Sequence, residues 1–380
     1  MLIDYPLKEH SQMLKPTITV IAQSLLISPL VILQPGISHA QQPSQTDALN
    51  QARASIEQLS ANQAQLSSEI KNSHRQYNQQ GFQMENITLN TEVGNLAANL
   101  YLPKGIANPP VVVVTGAWTS VKEQMPAVYA TALAERGYAA ITFDFRGWGA
   151  SSDTDDNQTA YLEDPVRKTQ DIQAVIKALS NVAQVDNSRI AGLAICASAG
   201  YMLDAAVQNT QSSQNTRLGA VAVVAPWLHD EAMATAIYGG EENRNQLLAL
   251  AAAEKDKSEP LVIEAASLTN ENALMYNAPY YTEQSRGLLP AYDNKFNVTS
   301  WSGWLNYNAQ LSASKQTIPV LMVASEAMAL PQGAHQYLEN ATDSVNAIWL
   351  DNINQFDFYD QPEAVEKAVN AVVSHFDSAL

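Results

Sequence analysis

The sequence predicts an α/β fold: a mostly parallel twisted sheet flanked by helices and interrupted by one long helical insertion. Three observations predict it. Apolar runs of strand length alternate with helix-length segments from Val111 to Phe376, and runs without period-two alternation belong to strands buried on both faces. The run from Ile190 to Ile195 stops abruptly at Cys196 among small residues and continues as a helix. Finally, the stretch between Ala225 and Pro319 breaks the alternation and carries many aromatics, among them Trp227, Tyr238, Tyr281, Trp301 and Trp304. At roughly 90 residues it is too long for a loop.

Taken in order, the chain opens with Lys15 and an apolar run from Ile18 to Leu33, then Pro35, Gly36 and Ser38-His39-Ala40. This reads as a secretory signal peptide over residues 1–40, cleaved after Ala40. Asp4 and Glu9 upstream make Met13 a candidate start, and no cysteine stands nearby to carry a lipid. Gln23 and Pro29 break the run too early for a membrane span. The expectation is a periplasmic or secreted protein with no membrane association after leader cleavage. Residues 41–80 are rich in Gln, Ser, Ala and Asn, and Ile56, Leu59, Leu66 and Ile70 are spaced as one face of a linker helix.

Beyond the linker, Glu85–Asn90 and Leu96–Pro103 alternate around Val93-Gly94-Asn95, which predicts an antiparallel hairpin. Strands are expected at Val111–Val114, Ala139–Phe145, Ile190–Ile195, Leu218–Ala225, Pro319–Ala324 and Val345–Leu350. Helices are expected at Met125–Gly137, Pro165–Asn181 and Pro362–Phe376. The core therefore divides into 81–228 and 317–380, with 229–316 as a helical cap over the sheet's carboxyl edge.

The 380 residues carry a formal net charge of −17, which argues against nucleic acid as a partner, because phosphates demand a basic face. Cys196 is the single cysteine, which excludes an intrachain disulfide and a thiolate-based structural zinc site. No metal-ligand cluster is visible. The glycines between Asp144 and Ser151 lack the later glycine and lysine of nucleotide loops, so no cofactor is expected. The oligomeric state is left open.

The strand-to-helix bend has the grammar of a nucleophile elbow, in which one side chain occupies a strained turn and its neighbours two residues away must be small. Ala194 and Ser198 flank Cys196 in this way. Cys196-Ala-Ser198-Ala-Gly200 also satisfies a G-x-S-x-G-like spacing, so Ser198 is the second candidate. It ranks below Cys196 because it falls almost a turn into the helix. The plain alternative is an inert buried cysteine.

Three segments together resemble the α/β-hydrolase superfamily over about 85–376: Val114-Thr-Gly116-Ala117-Trp118, Asp144-Phe-Arg146-Gly147-Trp-Gly149-Ala-Ser151, and the elbow. A cysteine at the elbow is similar to dienelactone hydrolases. The resemblance implies the α/β-hydrolase fold and acyl transfer to water. A thiolate would attack a carbonyl, with backbone N–H groups of Ala197 and Ala117 as the oxyanion hole. It further implies substrate contact at Gly116, Trp118 and Trp227. The partner set departs from the pattern. Gln355 stands where the superfamily places histidine and has no titratable proton near neutrality, and Glu326 is the only carboxylate near the acid position. Elimination among the histidines leaves His229, beyond the strand ending at Ala225, as the candidate base with Asp230 beside it, and assigns His335 to the surface. A cysteine tolerates a weak base, and a helix N-terminus lowers its pKa. The expectation is thus a hydrolase acting on an ester or related acyl bond of a small molecule. The alternative is a catalytically degenerate relative that binds a small molecule without turnover.

Overall fold

The computed structural model describes residues 81–154, 158–211 and 216–380; the leader, the Gln-rich helix and Met13 lie outside the described residues. Strands β1 (Phe82–Thr91) and β2 (Gly94–Pro103) form an antiparallel hairpin, with Thr91 opposite Gly94. The turn is therefore Glu92–Val93, one residue earlier than the sequence pattern implies. Gly94, with φ of 124°, begins the return strand at an angle that side chains resist.

The parallel part of the sheet comprises β3 (Pro110–Thr115), β4 (Ala139–Phe143), β5 (Asp186–Ile195), β6 (Leu218–Val224), β7 (Val320–Ala324) and β8 (Val345–Trp349). Among the described residues the sheet has eight strands in the order β1-β2-β4-β3-β5-β6-β7-β8, with β2 antiparallel to β4 and every later pair parallel. Burial follows position. The interior strands β4 and β7 are buried throughout, whereas the edge strand β8 alternates between half-buried and exposed.

Helices connect these strands: α1 (Met125–Ala134), α2 (Pro165–Ala178) and α3 (Ser198–Gln211). Asp164 and Pro165 explain the start of α2. The carboxylate accepts the Arg167 N–H, and the proline occupies a position that needs no donor. Between β6 and β7 the insertion holds α4 (Glu231–Ile237), α5 (Glu241–Glu254) and α6 (Ser300–Leu305). It also holds the strand pairs Val262–Glu264 with Lys295–Asn297 and Ala266–Ser267 with Met275–Tyr276, so the insertion is not purely helical as the sequence implied. After β7 come α7 (Pro331–Glu339), α8 (Asp357–Asp360) and α9 (Pro362–Ala379). The last buries Ala364, Val365, Ala368, Val369, Val372 and Phe376, a stripe at helical spacing.

Candidate active site

The site forms where β5 turns into α3. Cys196 has φ of 60°, a left-handed conformation that costs a non-glycine residue on the order of 1–3 kcal/mol. The surroundings over-determine it. The Cys196 N–H donates to Val224 O, and its carbonyl accepts from Ala199 and Trp227. Tight packing explains the small residues: a Cβ on Gly192 would stand 2.5 Å from Met202 Sδ, and one on Gly200 would stand 2.7 Å from Tyr307 Oη.

Ser198, the second candidate, is the first residue of α3 and fully buried. Its hydroxyl accepts from Thr115 Oγ1 and donates to the Ile195 carbonyl. Those bonds commit it to joining the ends of β3 and β5, which corrects the reading of Ser198 as a nucleophile.

Cys196 borders a cavity of about 430 Å³ whose walls include Trp118, Ala197, Trp227, Trp304, Gln355 and Tyr359. The backbone N–H groups of Ala197 and Trp118 both address the sulfur. The second amide is thus displaced by one residue from the expected Ala117, whose N–H is directed at Met125 Sδ, 3.5 Å away. The Ala117 carbonyl explains the offset. It accepts from both the N–H and the hydroxyl of Ser120, at 3.2 and 2.7 Å, which turns the Trp118 N–H of the same peptide the other way, toward Cys196. Gly116 is not on the cavity wall: an added Cβ would meet Ser120 Oγ at 2.4 Å and Pro126 Cγ at 2.7 Å. Its missing side chain serves packing within the loop, a correction to its expected substrate contact.

Two further candidates are held elsewhere. His229 is buried, with Nδ1 accepting from Trp227 Nε1 at 3.1 Å and Nε2 on the Trp304 carbonyl at 2.9 Å. A carbonyl only accepts, so Nε2 carries the proton and Nδ1 is occupied. The ring packs against Trp304 and Tyr307, and burial lowers its pKa. His229 therefore clamps the insertion and offers no free nitrogen to Cys196. Asp230 does not orient it; that carboxylate caps α4 through Met233 N–H and accepts from Gln336. Glu326 is also corrected. Its side chain is 71% exposed and meets His335 Nε2 at 2.9 Å, and His335 stacks on Trp349.

Gln355 does reach the cavity, and every hydrogen-bonding atom of its amide is engaged. Oε1 accepts from the Ala329 N–H, while Nε2 donates to the Ala225 carbonyl and to Tyr359 Oη at 3.1 Å. Tyr359 Oη in turn hydrogen-bonds the Cys196 sulfur. The sequence reading passed over this tyrosine. Its position four residues after Gln355, in the short helix that follows, was the available signal.

Burial pushes the Cys196 thiol up to about 11, although the Tyr359 hydroxyl and the Ala197 and Trp118 amides pull the other way. Desolvation thus outweighs the amides that the helix start supplies, the reverse of the sequence expectation. Tyr359 is raised well above the ordinary phenol value, again chiefly by burial. Near neutrality the pair is a neutral thiol beside a neutral phenol.

Residues 53–236 match a family profile described as Esterase FrsA-like. The Escherichia coli (strain K12) protein YcjY is 36% identical over 118 residues, 30% of this chain and 37% of that protein. Protein PA2218 of Pseudomonas aeruginosa is 36% identical over 112 residues, 29% of each. The chain thus spans little more than a third of the one curated relative and less than a third of the other. In the solved structures, PA2218 superposes with a TM-score of 0.66 at 21% identity, covering 79% of this chain and 94% of that one. The alpha/beta hydrolase GrgF from Penicillium sp. sh18 gives 0.64 at 18%, covering 78% and 99%. At these identities the structural likeness speaks for the fold.

Proposed function

We propose, for a chain with the α/β-hydrolase fold, that it hydrolyses esters of uncharged, apolar acyl groups through a thioester on Cys196. The observation that carries this reading is the convergence of two backbone N–H groups and a phenol on one elbow sulfur. The match of residues 53–236 to a profile described as Esterase FrsA-like supports the reaction class. The cavity supports the substrate class. Its side chains are Trp118, Trp227, Tyr238, Leu274, Met275, Tyr281 and others of their kind, with no ionisable carboxylate or amine among them. A charged acyl chain would lose its hydration there without a partner.

Because thiol and phenol are both neutral, the proton moves through Tyr359. As the sulfur attacks the ester carbon, the S–H proton passes to Tyr359 Oη, and the tyrosine's own proton passes to the departing alkoxy oxygen. One C–S bond forms, one C–O bond breaks, and an alcohol leaves. The Ala197 and Trp118 amides hold the negative oxygen of the tetrahedral intermediate. Deacylation is the reverse with water in the alcohol's place. Gln355 orients the phenol by donating to it, which leaves the phenolic hydrogen for the reacting atoms.

The sequence pattern of residues 1–40 supports export to the periplasm or beyond, a proposal that mass analysis of the mature chain tests. The central test is turnover of a short p-nitrophenyl ester by wild type and Cys196→Ala: the variant is expected to lose it entirely, and equal turnover by both defeats the reading. One observation favours a second reading. No imidazole stands on the cavity wall among the described residues, as suits a protein that binds an apolar ester without turnover. Saturable binding of such an ester with no release of alcohol would select it.

A further inference from the structure

The Trp118 amide is useful only while the loop from Gly116 to Lys122 keeps its shape, and one buried carboxylate holds that loop. Glu163 is fully buried. Its Oε2 accepts from the Thr119 N–H at 2.8 Å and from Lys168 Nζ at 2.8 Å, and its Oε1 accepts from Tyr201 Oη at 3.0 Å. Thr119 lies in the left-handed region with φ of 60°, so the peptide joining it to Trp118 needs an external anchor. The preceding peptide is anchored by Ser120 on the Ala117 carbonyl. Two successive peptide planes around Trp118 are thereby fixed, one by Ser120 and one by Glu163. Tyr201 belongs to α3, the helix that begins two residues after Cys196. A single carboxylate therefore ties the nucleophile's helix to the loop that carries the second amide.

We propose that Glu163 is a positioning residue for the oxyanion hole: it sets the Trp118 N–H against Cys196 through its bond to the Thr119 N–H. This rests on the reading of Cys196 as the nucleophile. The Glu163 backbone N–H also donates to Ser300 Oγ at the start of α6, so the same residue connects the insertion to the loop. Lys168 balances the charge without touching the loop, with its ammonium over the rings of Phe145 and Trp148.

Two substitutions separate reach from charge. Glu163→Asp keeps the charge for Lys168 and withdraws the carboxylate by about one C–C bond, ~1.5 Å. Glu163→Gln keeps the acceptor in place and removes the charge. The proposal predicts that E163D loses ~100-fold in kcat, the scale of one lost oxyanion donor, with KM little changed, and that E163Q retains most of the wild-type kcat. Amide hydrogen exchange at Trp118 and Thr119, which needs no turnover, is expected to accelerate in E163D and to stay near wild type in E163Q. Equal losses in the two variants, a loss in KM rather than kcat, or unchanged exchange in E163D overturns the proposal. If wild type hydrolyses no ester, or Cys196→Ala still does, the esterase reading falls while the exchange result still decides what Glu163 holds.

Discussion

Cys196 combines a strained backbone with a sulfur that burial keeps protonated, and the chemistry assigned to it follows from that combination. Alkylation requires the thiolate. The rate of iodoacetamide modification of Cys196 is therefore expected to climb with pH across the whole range from 7 to 10, because the thiol sits near 11. A plateau near pH 8 would contradict burial as the governing influence. Ester turnover by the proposed route, through a neutral thiol and phenol, is expected to change little over the same range. Tyr359 is the second residue on which the chemistry turns. Tyr359→Phe removes the proton path and leaves the ring, so kcat is expected to fall ~10²–10⁴-fold while stability falls by only about 1 kcal/mol for the lost Gln355 bond. Wild-type kcat in that variant would remove the phenol from the mechanism. At this scale the sequence was legible where backbone conformation dictates residue type, as in the small neighbours of Cys196. It was not legible where the role depends on which way a side chain turns. Nothing in the composition around His229 announces that Trp227 and the Trp304 carbonyl occupy both of its nitrogens.

Elements carry the site by where they end. The carboxyl ends of β3, β5 and β6 deliver the Gly116 loop, the elbow and Ala225, and the segment after β8 delivers Gln355 and Tyr359. The loop after β3 is the least forgiving of these. Gly116→Ala would drive a methyl group into Ser120 Oγ and Pro126 Cγ, so it is expected to cost about 1–3 kcal/mol in denaturant unfolding and to disturb the Trp118 amide with it. A variant as stable and active as wild type would show that the loop is not held as described. Strands such as β4 and β7 were readable because burial on both faces leaves an unbroken apolar run in the sequence. The two short strand pairs of the insertion were not, since pieces of two or three residues leave no period to detect. The one-residue shift from Ala117 to Trp118 escaped for a similar reason: it depends on which way one peptide plane faces.

In the whole molecule, carboxylates carried on the helices that flank the sheet give stability a pH dependence. Burial pushes Asp204, which accepts from Tyr307 Oη, up to about 6, and Asp171 beside Arg146 likewise. A folded-state value above the unfolded one means the native state binds the proton more tightly. The contribution therefore favours folding below about pH 4 and is lost as pH rises through 6. Asp204→Asn keeps the acceptor for Tyr307 and removes the titration, so its stability relative to wild type is expected to improve by about 1–3 kcal/mol between pH 4 and 7. A pH-independent difference in urea midpoints would refute this. The architecture, the apolar cavity and the proposed acyl chemistry meet at one sulfur, and acid-quenched mass analysis of the protein mixed with an apolar p-nitrophenyl ester examines it directly. One acyl group is expected on the peptide containing Cys196, labile to hydroxylamine and absent from Cys196→Ala. Turnover of the ester with the acyl group on any other residue, or on none, would contradict it.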